Sequence, residues 1–212
     1  MRGFPWIENT RSRDAAVSTL RSGSAAAAED GSAAESVGAF LAVCAIGALA
    51  GLAGAHLRLH LGLPGHKAVL VMAPVIAARF VFRSAAGATG GMLAAALASL
   101  AIHGEVIAAS THLPFAVVAG VVLDAAIGFA QRRRLAARWA IGLAGLAGLA
   151  GNLVLLAERL LTPLFQSHEF LGISGLQARL FSYALFGLLA GLVGASLGEI
   201  IRRRRAGAAR PA

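Results

Sequence analysis

The stretch WAIGLAGLAGLAGNLVLLA, residues 139–157, decides the fold. It carries no charge, one amide at Asn152, and a glycine every third residue at Gly142, Gly145, Gly148 and Gly151. Arg132, Arg133, Arg134 and Arg138 precede it, and Glu158 and Arg159 follow it. Roughly 20 apolar residues in a helix cross the hydrocarbon core of a bilayer. Five other stretches share this character, at 37–57, 67–82, 85–103, 113–130 and 180–201. The whole chain is 58% hydrophobic and 14% charged over 212 residues, with a mean hydropathy of +0.74. A soluble domain carries about 25% charged residues. The composition therefore predicts an all-α, polytopic membrane bundle of six transmembrane helices spanning 37–205. Residues 1–36, rich in Ser, Ala, Gly and mixed charge, read as a disordered cytoplasmic tail, and 206–212 as a second one.

Charge orients this bundle. With six spans, the N-terminus, the second and fourth turns and the C-terminus share one side. Fifteen of the 19 Lys and Arg residues fall there, including Arg132–Arg134 and Arg202–Arg205. Arg58, Lys67, Arg159 and Arg179 fall on the other side, together with all six histidines: His56, His60, His66, His103, His112 and His168. Positive charge stays inside, so both termini are expected in the cytoplasm of a cell (inner) membrane and the histidines outside. The net charge of +9 is accounted for by these loops, and nucleic acid is not expected as a partner.

The histidine side is where polar chemistry gathers. His56, Arg58, His60, His66, Lys67, His103, Glu105, His112 and Asn152 form the candidate substrate-binding set. Ser182 and Tyr183 lie within reach of a cavity at that end, and His168 and Glu169 lie in the last outer turn with Glu158 nearby. His56 and His60 are four residues apart, which puts both imidazoles on one face if the first helix continues to Leu61. Such a pair suits a divalent metal as ligand. An anionic or heteroaromatic molecule held by Arg58, Lys67 and neutral imidazoles suits the set equally. Cys44, alone in an apolar run, excludes an internal disulfide.

Asp124 is the one acid well inside a span, at an insertion cost of about 2.5–3.5 kcal/mol. An ion pair with Arg79 or Arg83 is the structural expectation, and a gating role the functional one. Small residues at Gly47, Ala50, Gly51, Gly54 and Ala55 make the first span a close-packing surface, either inside the bundle or for docking another membrane subunit. Gly172-Ile173-Ser174-Gly175 matches the serine motif of rhomboid proteases, but no histidine follows His168 to activate a nucleophile. No phosphate-binding Gly-x-x-x-x-Gly-Lys-Ser/Thr loop occurs.

Three passages carry a resemblance: the small-residue first span, Gly90-Gly91-Met92-Leu93-Ala94-Ala95 in the third, and Gly120-x-x-x-Asp124-x-x-x-Gly128 in the fourth. Over residues 37–205 the chain resembles the substrate-binding S component of energy-coupling factor transporters. The first span only approximates that family's Ala-x-x-x-Ala helix, since Ala45 is followed four residues later by Leu49. The resemblance implies a non-enzymatic subunit for micronutrient uptake. It would bind a vitamin or divalent metal at the outer face and rely on a transmembrane coupling subunit and cytoplasmic ATPases. Two other readings remain: a membrane enzyme with a His/Glu site at the outer leaflet, and a structural subunit without ligand.

Orientation has a direct test. Cysteines placed by His60→Cys and by Arg133→Cys, each in a Cys44→Ala background, are expected to react with an impermeant maleimide from opposite sides of the membrane. Labelling of both from one compartment would overturn the arrangement.

Overall fold

The computed structural model describes residues 35–57, 65–103, 106–166 and 173–208. Two compact units divide the chain at Gly38; of the first, residues 35–38 are described, as helix. All contacts below belong to the second, 39–212. The described residues form six helices and no strand: α1 (Glu35–His56), α2 (Lys67–Phe82), α3 (Gly87–His103), α4 (Val106–Arg132), α5 (Ala137–Gln166) and α6 (Ile173–Ala208). The expected tail at 1–36 lies almost entirely outside the described residues. The C-terminal tail begins later than expected, because α6 continues to Ala208.

Four of these helices, α1, α4, α5 and α6, are long and apolar enough to cross a membrane. α2 has 16 residues and α3 has 17, short of the usual span. α4 is longer than the span expected at 113–130: it starts at Val106 and keeps Pro114 inside. α5 likewise runs on through Pro163 to Gln166. Apolar flanks let each helix extend past the residues that hydropathy alone assigns to the span.

Alanines make up much of the interior beside a few larger residues such as Met72, Ile76, Leu123 and Ile127, while many large side chains face outward. Ala73, Ala88, Ala119, Ala144, Ala190 and Ala195 are buried, while Leu49, Phe129, Leu146, Phe181 and Leu197 are exposed. A soluble protein sorts these sizes the other way. With lipid outside, hydrophobicity does not choose the interior, and close backbone approach does. A Cβ at Gly191 would overlap the Ala144 carbonyl, and one at Gly148 the Gly187 carbonyl, so α5 and α6 cross backbone to backbone and antiparallel. Gly194 and Gly198 lie in the same way on Ala73 and Ala77, which sets α6 parallel to α2. Gly47 lies on Gly91 and Gly51 on Ala95, which sets α1 parallel to α3. Antiparallel pairs of α2 with α3 and α4 with α5 complete an up-and-down bundle around α2.

One polar cluster fixes the end that holds the α2–α3 turn. Asp124 on α4 accepts from Arg79 Nε at 2.8 Å, from the Ala88 and Thr89 backbone N–H groups at 3.1 and 2.8 Å, and from Thr89 Oγ1 at 2.8 Å. The carboxylate thus caps the first turn of α3 from another helix, where orphan N–H groups favour an anion. Gln131 Oε1 accepts from Arg79 Nη1 at 3.3 Å. Gly120, one turn before Asp124, permits the approach, since a Cβ there would sit 2.5 Å from Thr89 Cα. The expected ion pair is therefore Asp124 with Arg79. Arg83 has no part in it: it closes α2 in a left-handed conformation (φ 52°) and is exposed.

Gly191→Val is expected to lower stability by about 3 kcal/mol or more, because backbone rather than a movable side chain stands in the way. Gly142→Ala, with nothing within 4 Å of the new Cβ, is expected to leave stability unchanged or raise it by up to about 1 kcal/mol. Thermal unfolding in detergent reads both. Asp124→Ala leaves Arg79 buried without its partner and is expected to cost about 3–5 kcal/mol. In a double-mutant cycle with Arg79→Ala, the coupling is expected to exceed about 1 kcal/mol. Strict additivity would show that the pair does not act as a unit.

Candidate functional site

A cavity of about 570 Å³ opens at the other end of the bundle, among residues from all six helices. α1 contributes Gly51, Gly54 and Ala55, and the turn into α2 contributes Gly65, His66, Lys67 and Ala68. α2 and α3 supply an apolar wall of Val71, Met72, Met92, Ala95 and Ala96, with Ser99 and Leu100 above it in sequence. α4 brings His112, Leu113 and Ala116. α5 brings Asn152, Leu155, Glu158 and Arg159, and α6 brings Tyr183.

Local structure places the polar members. Gly65 adopts φ +84° in the turn, a conformation that residues with a Cβ rarely take, and a Cβ there would also press on the Tyr183 ring at 3.1 Å. This glycine sets His66 and Lys67 at the N-terminus of α2. The His66 ring meets Phe186 edge-on, with centroids 6.4 Å apart. Asn152, 1% exposed, donates from Nδ2 to the Tyr183 carbonyl at 2.8 Å and so ties α5 to α6 beside the cavity. His112 Nδ1 lies 2.7 and 2.6 Å from the two carboxylate oxygens of Glu158, which is 9% exposed. Nδ1 is committed to the carboxylate, so any contact from His112 to a ligand goes through Nε2.

The candidate set from the sequence divides accordingly. His66, Lys67, His112 and Asn152 come together around one space. Arg58, His60 and Glu105 lie outside the described residues, as does His168, and the side chain of His103 lies outside them too. His56 does not join the set. Its Nδ1 pairs with the Leu52 carbonyl at 3.0 Å, on its own helix, and the residue is exposed and off the cavity lining. The helix expected to carry His56 and His60 on one face does not reach that far, because α1 ends at His56; His60 itself lies outside the described residues. No three His, Cys, Asp or Glu side chains cluster in metal-binding fashion among the described residues.

The docking surface assigned to α1 also changes role. Gly47 and Gly51 face α3, Gly54 faces Val71 on α2, Ala50 is buried, and Ala55 lines the cavity. Those small residues are used inside the bundle. The face α1 turns outward is instead made of Leu41, Leu49 and Leu52.

Sequence reasoning gave Arg159 no role beyond its charge and left Met72, Met92 and Ser99 unnoticed. The pairing of Glu158 with His112 was not anticipated, and His168 and Glu169, read beside Glu158, lie outside the described residues. A usable signal existed on α5: Asn152, Leu155 and Glu158–Arg159 recur at the spacing of one helical face. No protein-family model, no curated protein and no solved structure matches this chain.

Proposed function

We propose that this chain is a membrane-embedded binding subunit for uptake of a small water-soluble micronutrient, working with a separate transmembrane coupling subunit and cytoplasmic ATPases. All six helices cross the inner membrane in this reading, α2 and α3 with local thinning of the bilayer. Both termini are cytoplasmic and the cavity opens outward. The resemblance to S components of energy-coupling factor transporters points the same way.

The cavity carries the proposal. Its volume of about 570 Å³ falls in the range of small-molecule sites, roughly 300–1,000 Å³, and its apolar wall with a few convergent polar groups is their usual composition. A purely structural subunit has no use for a void that holds a histidine, a buried glutamate, a lysine and an arginine. The described donors gather as a single His–Glu pair, which favours an organic ligand over a metal ion. The contacts named bind and orient, and binding is the role this lining supports best.

His112→Ala is expected to weaken ligand retention at least tenfold, equivalent to about 1.4 kcal/mol. His56→Ala is expected to retain ligand like the parent protein, since His56 is off the cavity. Mass spectrometry of the small molecules released from purified protein reads both, with thermal unfolding as the control for folding. Equal retention in both variants would sink the assignment of the site.

A further inference from the structure

The charges around the cavity are unequal. Lys67 and Arg159 line it, and neither makes an ion pair among the described residues. Arg179 adds a third cation within electrostatic reach of Tyr183. Against these, among the described residues, stands one lining carboxylate, Glu158, already engaged by His112 Nδ1. α2 adds to the imbalance. Its N-terminal residues Lys67 and Ala68 line the cavity, its first turn contains no acid, and its N-cap residue His66 makes no side-chain capping bond. The positive end of that helix therefore has the same sign as Lys67. Lys67 and Arg159 are both exposed, and together they give the cavity a positive sign that attracts an anion and rejects a cationic competitor.

We infer that the ligand is an organic anion, with a carboxylate or phosphate group held by Lys67 and Arg159 and an apolar or aromatic body held by Met72, Met92 and Tyr183. This assignment rests on the binding role proposed above and narrows it to a class. Both a water-soluble metabolite and an anionic lipid offer that chemistry. The polar groups at His66, His112 and Asn152 and the bounded volume favour the soluble source, because an acyl chain has no need of them.

The full-length protein, purified and exchanged into nanodiscs of phosphatidylcholine alone, is denatured, and its small-molecule content is resolved by anion exchange and mass spectrometry. About one equivalent of an organic anion is expected. The double variant Lys67→Gln/Arg159→Gln is expected to hold at least tenfold less, and Lys67→Arg to hold it nearly as the parent does. A stoichiometric neutral or cationic molecule, or equal anion content in the double variant, overturns the anion assignment and leaves the binding role standing. A phospholipid in place of a metabolite keeps the anion site and overturns uptake of a soluble nutrient. A second measurement does not depend on the variants folding. Millimolar benzoate is expected to raise the unfolding temperature of the parent protein more than isosteric benzamide. Equal shifts overturn the anion assignment, and no response to either, with nothing released on denaturation, overturns the binding role itself.

Discussion

A single carboxylate in an apolar bundle fixes how three helices are rotated. Asp124 takes a guanidinium N–H from α2, two backbone N–H groups and a hydroxyl from α3, and gives up its hydration to sit on α4. Leucines packed in lipid cannot specify rotation in this way, since lipid tails are as apolar as leucine and every rotation buries similar chemistry. A carboxylate with four donors tolerates very few rotations, because each lost donor leaves a charge unsatisfied where no water can replace it. Gly120 then becomes a structural requirement at one remove: it lets α4 come close enough to the start of α3 for the bonds to form.

The consequences reach the opposite end through rigid helices. Asp124 and His112 share α4, and Arg79 and Lys67 share α2, each pair about 18 Å apart along its helix. Rotation set at one end therefore decides that His112 meets Glu158 on α5 and that Lys67 enters the cavity. The glycine contacts do the complementary work of setting height. Gly148 and Gly191 hold α5 against α6, so that Asn152 reaches the Tyr183 carbonyl. Height from glycines and rotation from Asp124 together leave the cavity with defined walls, although almost nothing in its apolar wall is directional.

Much of this was legible in the chain, and the limits have a physical origin. Apolar length placed six helices, and the isolation of Asp124 in a span already demanded a basic partner. Which arginine served was not legible: Arg79 and Arg83 are both near the end of α2, and the left-handed turn at Arg83 that removes it is set by the tight link to α3. Small-residue stripes announced close contacts, but a stripe does not say what lies opposite, so Gly47 and Gly51 could be read as a docking face when they meet Gly91 and Ala95. The histidines were found by position along the chain, and only mutual rotation separates His112, which faces Glu158, from His56, which folds onto its own helix. Rotation is the quantity that residue spacing leaves open between helices, and it is where the expectations divided.

The end remote from the cavity explains how the bundle finds its depth. Arg133 lies over Phe129, Arg138 over Trp139 and Arg205 over Phe82, with each guanidinium carbon 5.4–5.8 Å from a ring centroid. Arg202 and Arg203 both pair with Glu199 one turn earlier. Guanidinium over an aromatic ring is chemistry suited to the headgroup layer, where one surface is apolar and the other wet. α2 runs from the cavity to Phe82 in 16 residues, about 24 Å. That distance is less than the roughly 30 Å of a hydrocarbon core, so if the stacked arginines mark one headgroup plane, the floor of the cavity lies below the other. In that geometry the floor of the cavity lies within the apolar layer, while Lys67 stands at the start of α2. On the cavity wall Glu158 pairs with His112 and Asn152 with a backbone carbonyl, so these polar groups keep protein partners whether or not the space is filled.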